Sequence, residues 1–254
     1  MFLSLDRKRE SKFEQLRFYR VRRAELHYAS RLRGVARHIG DLVRGYSTGE
    51  TINIDLTGLS EVLNGYARLL RPWARATASR MLTDVQRRDE KAWAEQAATM
   101  SRALRKEIAE APTGEVFRKL MDEQVELITS LPVEASQRVH RLVEQGLSDA
   151  TRFTEYAKEI YRTGEVTKSR ATLIARTEVG RAATNLMQAR ATYVDSEGYH
   201  WRTVRDKDVR PSHRKMEGKF VRWDDPPTLD NLRGHAGALP NCRCWPEPII
   251  PDTF

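Results

Sequence analysis

The chain has 254 residues, of which 31% are Asp, Glu, Lys or Arg, and a net charge of +9. That length allows one large domain or two small ones with a full core, and regularly recurring Leu, Val, Ile and Ala exclude wholesale disorder. No apolar run approaches the ~18 residues needed to cross a bilayer, and the opening, Met1 to Glu10, is charged from Asp6 onward where a secretory leader would be apolar. The chain is therefore expected to stay in the cytoplasm in which it is made, without membrane contact.

The charge is uneven. Between Met1 and Arg44 there are 12 Lys and Arg against 5 Asp and Glu, which places seven of the nine surplus positive charges in one arm. Such clustering suits a polyanion through phosphate neutralisation and counterion release; a solvated helix face and an acidic protein partner are the other readings. The arm is also patterned. Phe18, Val21, Glu25, Tyr28, Leu32, Val35, Ile39, Leu42 and Tyr46 keep 3-4 spacing, and Glu25 breaks the apolar seam. A seam of this kind needs a covering helix, from this chain or another. Arg17, Arg20, Arg22, Arg23, Arg31, Arg33 and Arg37 crowd the other faces and are the candidate contacts to double-stranded DNA, without base specificity. Ser47-Thr48-Gly49 ends the helix.

Thr57-Gly58 or Ser60 is expected to cap a second helix, which Pro72 bends or divides and which continues through Trp93 and Leu104 to Pro112. A third helix is predicted from about Glu115 to Leu131. Pro132 starts another, ended by Gly146. A short helix from Phe153 to Tyr161 precedes a Thr163-Gly164 turn. A long helix from about Thr167 to Val194 then carries Ile174, Glu178, Ala182, Leu186, Ala189 and Tyr193 on one face. Glu178 is a carboxylate on an apolar stripe and should have a partner.

The character changes near Gly198. Only Pro72, Pro112 and Pro132 precede it, whereas seven prolines and three of the five tryptophans follow. Tyr199 to Arg205 alternates as a strand does, Asp206-Lys207-Asp208 makes a turn, Val209 to Gly218 is a short helix, and Lys219 to Trp223 is a second strand. The fold is expected to be mainly α with a small α+β C-terminal module: an elongated helical region, 1–164, followed by a compact loop-rich module, 165–254.

Ala175-Arg176-Thr177-Glu178, then Trp201 before Asp206, then Arg210-Pro211-Ser212-His213 with Gly218, then Asn241-Cys242-Arg243-Cys244 form an ordered set. This set resembles the phage minor head, or head morphogenesis, protein family typified by the F protein of phage Mu, over roughly residues 165–248. The resemblance implies structural motif residues at Arg176, Glu178, Trp201, Asp206, Arg210 and Gly218. It also implies a minor capsid protein inside the virion head near the portal, serving head assembly and DNA packaging or delivery and made in the host cytoplasm. Portal protein and major capsid or scaffolding protein are the implied partners, and no enzymatic activity is implied. In many relatives the stretch matching Arg210 to His213 carries cysteines at its first and last positions; here they are Arg and His.

Cys242 and Cys244, one residue apart, are too close for an unstrained disulfide. With His213 and His235 they make a candidate ligand set for a structural Zn²⁺, which favours four N or S donors. The alternative is that both thiols are small packing residues. Asp206, Asp208 and His213 raise a second alternative, a Mg²⁺-dependent nuclease. Against it, either Asp can cap the following helix, and the chain has no P-loop, H-E-x-x-H or G-x-S-x-G. Arg210 or Arg176 is the expected partner of Glu178. A non-catalytic helical DNA-binding protein is the remaining reading.

Overall fold

The computed structural model describes residues 3–46, 55–96, 106, 109–148 and 153–250; the side chains of 3–20 and of a few helix ends lie outside that description. Five helices account for most of it: α1 (Leu3–Gly45), α2 (Leu56–Gln96), α3 (Thr113–Ser148), α4 (Phe153–Tyr161) and α5 (Thr163–Tyr193). The C-terminal module contributes β1 (Gly198–Arg202), α6 (Pro211–Arg214), β2 (Phe220–Arg222), β3 (Thr228–Leu229), β4 (Leu232–Arg233) and β5 (Trp245–Pro248). The fold is thus mainly α with a small antiparallel module, as the sequence predicts. No described helix is long and apolar enough to cross a membrane.

Several boundaries differ from expectation. Pro72 does not divide α2, and Pro132 does not start a helix but lies inside α3. An interior proline costs a helix roughly 3 kcal/mol, which flanking burial offsets: Leu70 and Ala74 beside Pro72, and Leu131 and Ala135 beside Pro132, are all buried. The cap of α2 is Asp55, whose Oδ1 accepts the Gly58 N–H at 2.9 Å, and not Thr57 or Ser60. α3 runs past Gly146, which instead receives the Tyr156 ring at 3.5 Å from where a Cβ would stand. Thr163 and Gly164 begin α5 and are not a turn before it. Leu104 lies outside the described residues.

The chain divides into two compact units, each assembled from separate stretches. One comprises His27–Ser79 and Met121–Ala175. Its core holds Leu32, Ile39, Leu59, Leu63, Ile128 and Leu131, each 0–1% exposed. The seam of the first helix is therefore covered from within the chain over this span. Two polar contacts fix the packing there: Tyr28 Oη donates to Gln124 Oε1 at 2.9 Å, and the Ser60 and Ser136 hydroxyls meet at 2.8 Å. α1 and α5 approach so closely that a Cβ on Gly164 would lie 2.9 Å from the Gly40 Cα.

The other unit comprises Met1–Leu26, Arg80–Leu120 and Arg176–Phe254. Its sheet has the order β2-β1-β5, with Tyr199 opposite Val221 on one side and Pro248 on the other. β3 and β4 form a separate hairpin. β1 alternates as its sequence suggests, burying Tyr199 and Trp201 completely. They join Trp93, Met187, Ala191, Val194, Val221, Trp223, Leu239 and both cysteines in one hydrophobic cluster.

Candidate functional site

Pro211 opens α6, its fixed φ suiting the first helical position, and the single turn it starts carries His213 into the core at 2% exposure. The His213 ring stands edge-on to Trp201, centroids 5.5 Å apart. From the other side comes the segment before β5. Asn241 takes a left-handed φ of +57°, and Cys242 N–H then donates to the Leu239 carbonyl at 3.0 Å. This turn brings Cys242 Sγ to 3.4 Å and Cys244 Sγ to 3.6 Å from His213 Nδ1. The three donor atoms lie within 4.8 Å of one another and all three residues are buried. Both thiols are free.

The two sulfurs are not equivalent. Hydrogen bonding from the Cys244 thiol, with further help from His213 and the Cys244 backbone N–H at 3.4 Å, pulls the Cys242 thiol down into the range of a thiolate. The Cys244 thiol is held up by the same hydrogen bond and by burial. Cys242 is thus the more acidic thiol of the pair.

His235, the fourth donor expected from the sequence, is not brought to the thiols. Its Nδ1 is 3.2 Å from Tyr199 Oη and its ring packs on Trp223; burial pushes its basicity down. Burial likewise pushes the Tyr199 phenol up, and that hydroxyl accepts the Ala236 N–H at 3.1 Å. Asp206 and Asp208 do not serve as caps for α6 either, since its N-cap is Arg210 with no side-chain cap bond. Both instead face the Arg243 guanidinium, Asp206 at 2.7 Å and Asp208 at 3.5 Å. Among the described residues, His213, Cys242 and Cys244 are the one group of three or more with metal-binding spacing, and neither Asp belongs to it. The Mg²⁺-nuclease constellation is therefore not assembled.

The motif on α5 joins that helix to the cysteine segment. Arg176 Nε donates to Glu25 Oε1 at 3.0 Å while its Nη1 reaches Asn241 Oδ1 at 2.7 Å. Thr177 Oγ1 accepts the Asn241 N–H at 3.0 Å, and Thr184 Oγ1 donates to the Ala236 carbonyl at 2.7 Å. Gly180 permits the approach: a Cβ there would sit 2.6 Å from the Gly237 carbonyl oxygen. Glu178 pairs with Arg181 on its own helix at 2.6 Å. Arg176 is instead engaged by Glu25, and Arg210 donates to the Pro240 carbonyl at 3.2 Å and stands 3.7 Å from Asp230. Gly218 adopts φ +75° and returns its N–H to the Trp201 carbonyl at 2.8 Å, closing the turn into β2.

Sequence reasoning missed Arg190, whose guanidinium meets Asp89 at 2.8 Å with both side chains 4% exposed. Asp89 also lines a cavity of about 100 Å³ in the same unit, together with Ala92, Met187, Cys242, Cys244 and Trp245 among others. Of the candidate DNA contacts, Arg23, Arg31 and Arg37 are exposed and Arg33 is half-buried. Arg22 is held by Glu25 at 3.2 Å. Arg17 and Arg20 have side chains outside the described set.

Against this geometry, residues 137–246 match the family described as Phage Mu protein F like protein. Minor head protein GP7 of Bacillus phage SPP1 is 24% identical over 155 residues, covering 52% of this chain and 49% of that protein. The NAD(+)--arginine ADP-ribosyltransferase EFV of Enterococcus faecalis is 30% identical over 131 residues, covering 46% of this chain and 26% of that protein. The chain thus spans about half the length of the first relative and a quarter of the second. No solved structure matches.

Proposed function

We propose, from the match of residues 137–246 to the Phage Mu protein F like family, that this chain is a minor head protein of a tailed phage, active in head morphogenesis. It works inside the head near the portal, during assembly and in DNA packaging or delivery, and it is not an enzyme. Its partners are the portal protein, the major capsid or scaffolding protein, and double-stranded DNA bound through phosphates by the exposed arginines of α1. The family match, together with a phage minor head protein aligned over 52% of the chain, carries the reading. The match to the Enterococcus transferase spans 26% of that protein and does not bring its activity here.

The interior of the matched segment supports a scaffolding role. Its polar motif residues are engaged within the protein: Arg176 with Glu25 and Asn241, Asp206 with Arg243, Glu178 with Arg181. Groups engaged in this way rigidify a module. The deciding experiment is co-expression with a tailed-phage portal protein and the other head proteins, followed by purification of portal rings and of assembled heads. The chain should co-purify with the ring and be present in heads. Its absence from both, or Mg²⁺-dependent cleavage of DNA by the purified protein, overturns the proposal.

A further inference from the structure

We propose that His213, Cys242 and Cys244 form a three-donor site for a thiophilic divalent cation, Zn²⁺ above others, with the fourth tetrahedral position left to a solvent molecule. The spacing carries the argument. In tetrahedral zinc sites, Zn–S of about 2.3 Å and Zn–N of about 2.0 Å place a ligating nitrogen and sulfur about 3.6 Å apart. His213 Nδ1 stands 3.4 Å from one sulfur and 3.6 Å from the other. A two-centre hydrogen bond from Nδ1 serves only one of the two sulfurs, because that nitrogen carries either one proton or one lone pair. A cation between the three atoms serves both sulfurs at once.

Charge and burial point the same way. A divalent cation held by two thiolates and a neutral imidazole carries no net charge, which suits a site whose three donor residues are all buried. The Cys244 N–H aimed at Cys242 Sγ at 3.4 Å supplies a backbone donor to a ligated sulfur, the kind of outer contact that orients metal ligands.

The donor set ends at three. His235 is turned toward Tyr199, and among the described residues no other His, Cys, Asp or Glu joins the group. A cavity of about 100 Å³, larger than one water requires, is lined by Cys242 and Cys244. The ion joins α6 to the segment before β5 in a module whose sheet strands are only three to five residues long. A small module with so little regular structure gains much from such a cross-link.

The test uses the full-length purified protein. Elemental analysis should find about one zinc per chain. Replacing zinc by Co²⁺ should give thiolate-to-cobalt absorption in the near ultraviolet and intense visible bands of tetrahedral cobalt. Those visible bands should shift when imidazole or cyanide is added, as it takes the solvent position. Cys242→Ser, Cys244→Ser and His213→Asn should each lose the ion, and His235→Asn should keep it. Because a ligand variant can fail through misfolding, His213→Cys serves as a second variant; it should still bind cobalt, with stronger thiolate absorption. Fresh protein that takes up neither metal, or a cobalt spectrum unaltered by Cys242→Ser, overturns the site. A spectrum indifferent to added ligand, or loss of metal in His235→Asn, overturns the three-donor assignment.

Discussion

Arg176 and Glu25 lie 151 residues apart in sequence, and their side chains meet at 3.0 Å, with Glu25 9% and Arg176 28% exposed. The contact explains two anomalies with one bond. It gives a reason for the lone carboxylate in the apolar seam of α1, and it gives the motif arginine of α5 a partner. Removing Glu25 leaves a guanidinium short of its counter-charge. Glu25→Ala should cost about 1–3 kcal/mol in denaturant unfolding, below the range for fully buried pairs because Arg176 keeps some solvent. A double-mutant cycle with Arg176→Ala should return a coupling of roughly 1 kcal/mol. Purely additive effects would contradict the assignment.

Arg190 and Asp89 make a stricter case, since both are 4% exposed. Breaking a pair from one side strands the other charge, so Asp89→Asn should cost about 3–5 kcal/mol. Replacing both by apolar residues of similar size, Asp89→Leu with Arg190→Met, should recover most of that loss. Glu90, 3.4 Å from Arg190 and 49% exposed, is a weak substitute for Asp89. Thermal melts of the single and double variants decide; a double variant no better than Asp89→Asn would show that the charges do more than neutralise one another.

The helices, β1 and the pairing of His213 with the cysteines were legible because each rests on local period or residue type. Phe153 to Tyr161 matches α4 end to end, and Tyr199 and Trp201 alternate inward as expected. β5 was not legible, because Pro246 and Pro248 read as loop. It tolerates them by lying at the sheet edge with the prolines on alternate residues, so their missing N–H groups face away from β1. The continuity of the helices at Pro72 and Pro132 was hidden by the same residue type, there outweighed by packing. Asp89–Arg190 and Asp206–Arg243 pair residues 101 and 37 positions apart, and no periodicity in one sequence reports such separations. His235 was grouped with the cysteines by chemistry alone, and its ring found an aromatic site.

Glu217 sets a dependence on pH. Burial raises its proton affinity, but the Thr203 hydroxyl, Arg205 and the Thr203 N–H outweigh that and hold its carboxyl below the ordinary glutamate value. A carboxyl depressed in the folded state stabilises it above the unfolded value, about 4.3. That contribution is lost as pH falls through the lower folded value. Wild-type protein should therefore lose stability in this acid range more steeply than Glu217→Gln, which lacks the group. Parallel acid profiles for the two proteins would remove Glu217 from the account.

The exposed arginines of α1 make a prediction about salt. Arg22 is committed to Glu25, so charge reversal belongs at Arg23, Arg31 and Arg37. If these side chains lie on DNA phosphates, binding weakens steeply with salt in the wild-type protein. Each contact removed should then lower the slope of log affinity against log salt by roughly 1. The loss should be equal for unrelated DNA sequences. An unchanged slope would assign the charge to a protein contact or to solubility.

The last prediction concerns the seam. Leu32 and Ile39 are both 0% exposed and share their unit's core with Leu59, Leu63, Ile128 and Leu131. The stripe is thus covered from within the chain at its centre, and a portal or a second copy is not needed to shield it there. Asp at both positions would bury two unpaired carboxylates, so the isolated double variant should fail to fold or melt far below the wild type. Leu32→Ala is the graded control: it removes apolar volume without adding charge and should cost about 2–5 kcal/mol, leaving a protein that still folds. The two variants together separate core from interface. A Leu32→Ala protein that melts at the wild-type temperature yet is missing from assembled heads would mean that the seam is opened and used in docking, and the intramolecular account of α1 would have to be abandoned.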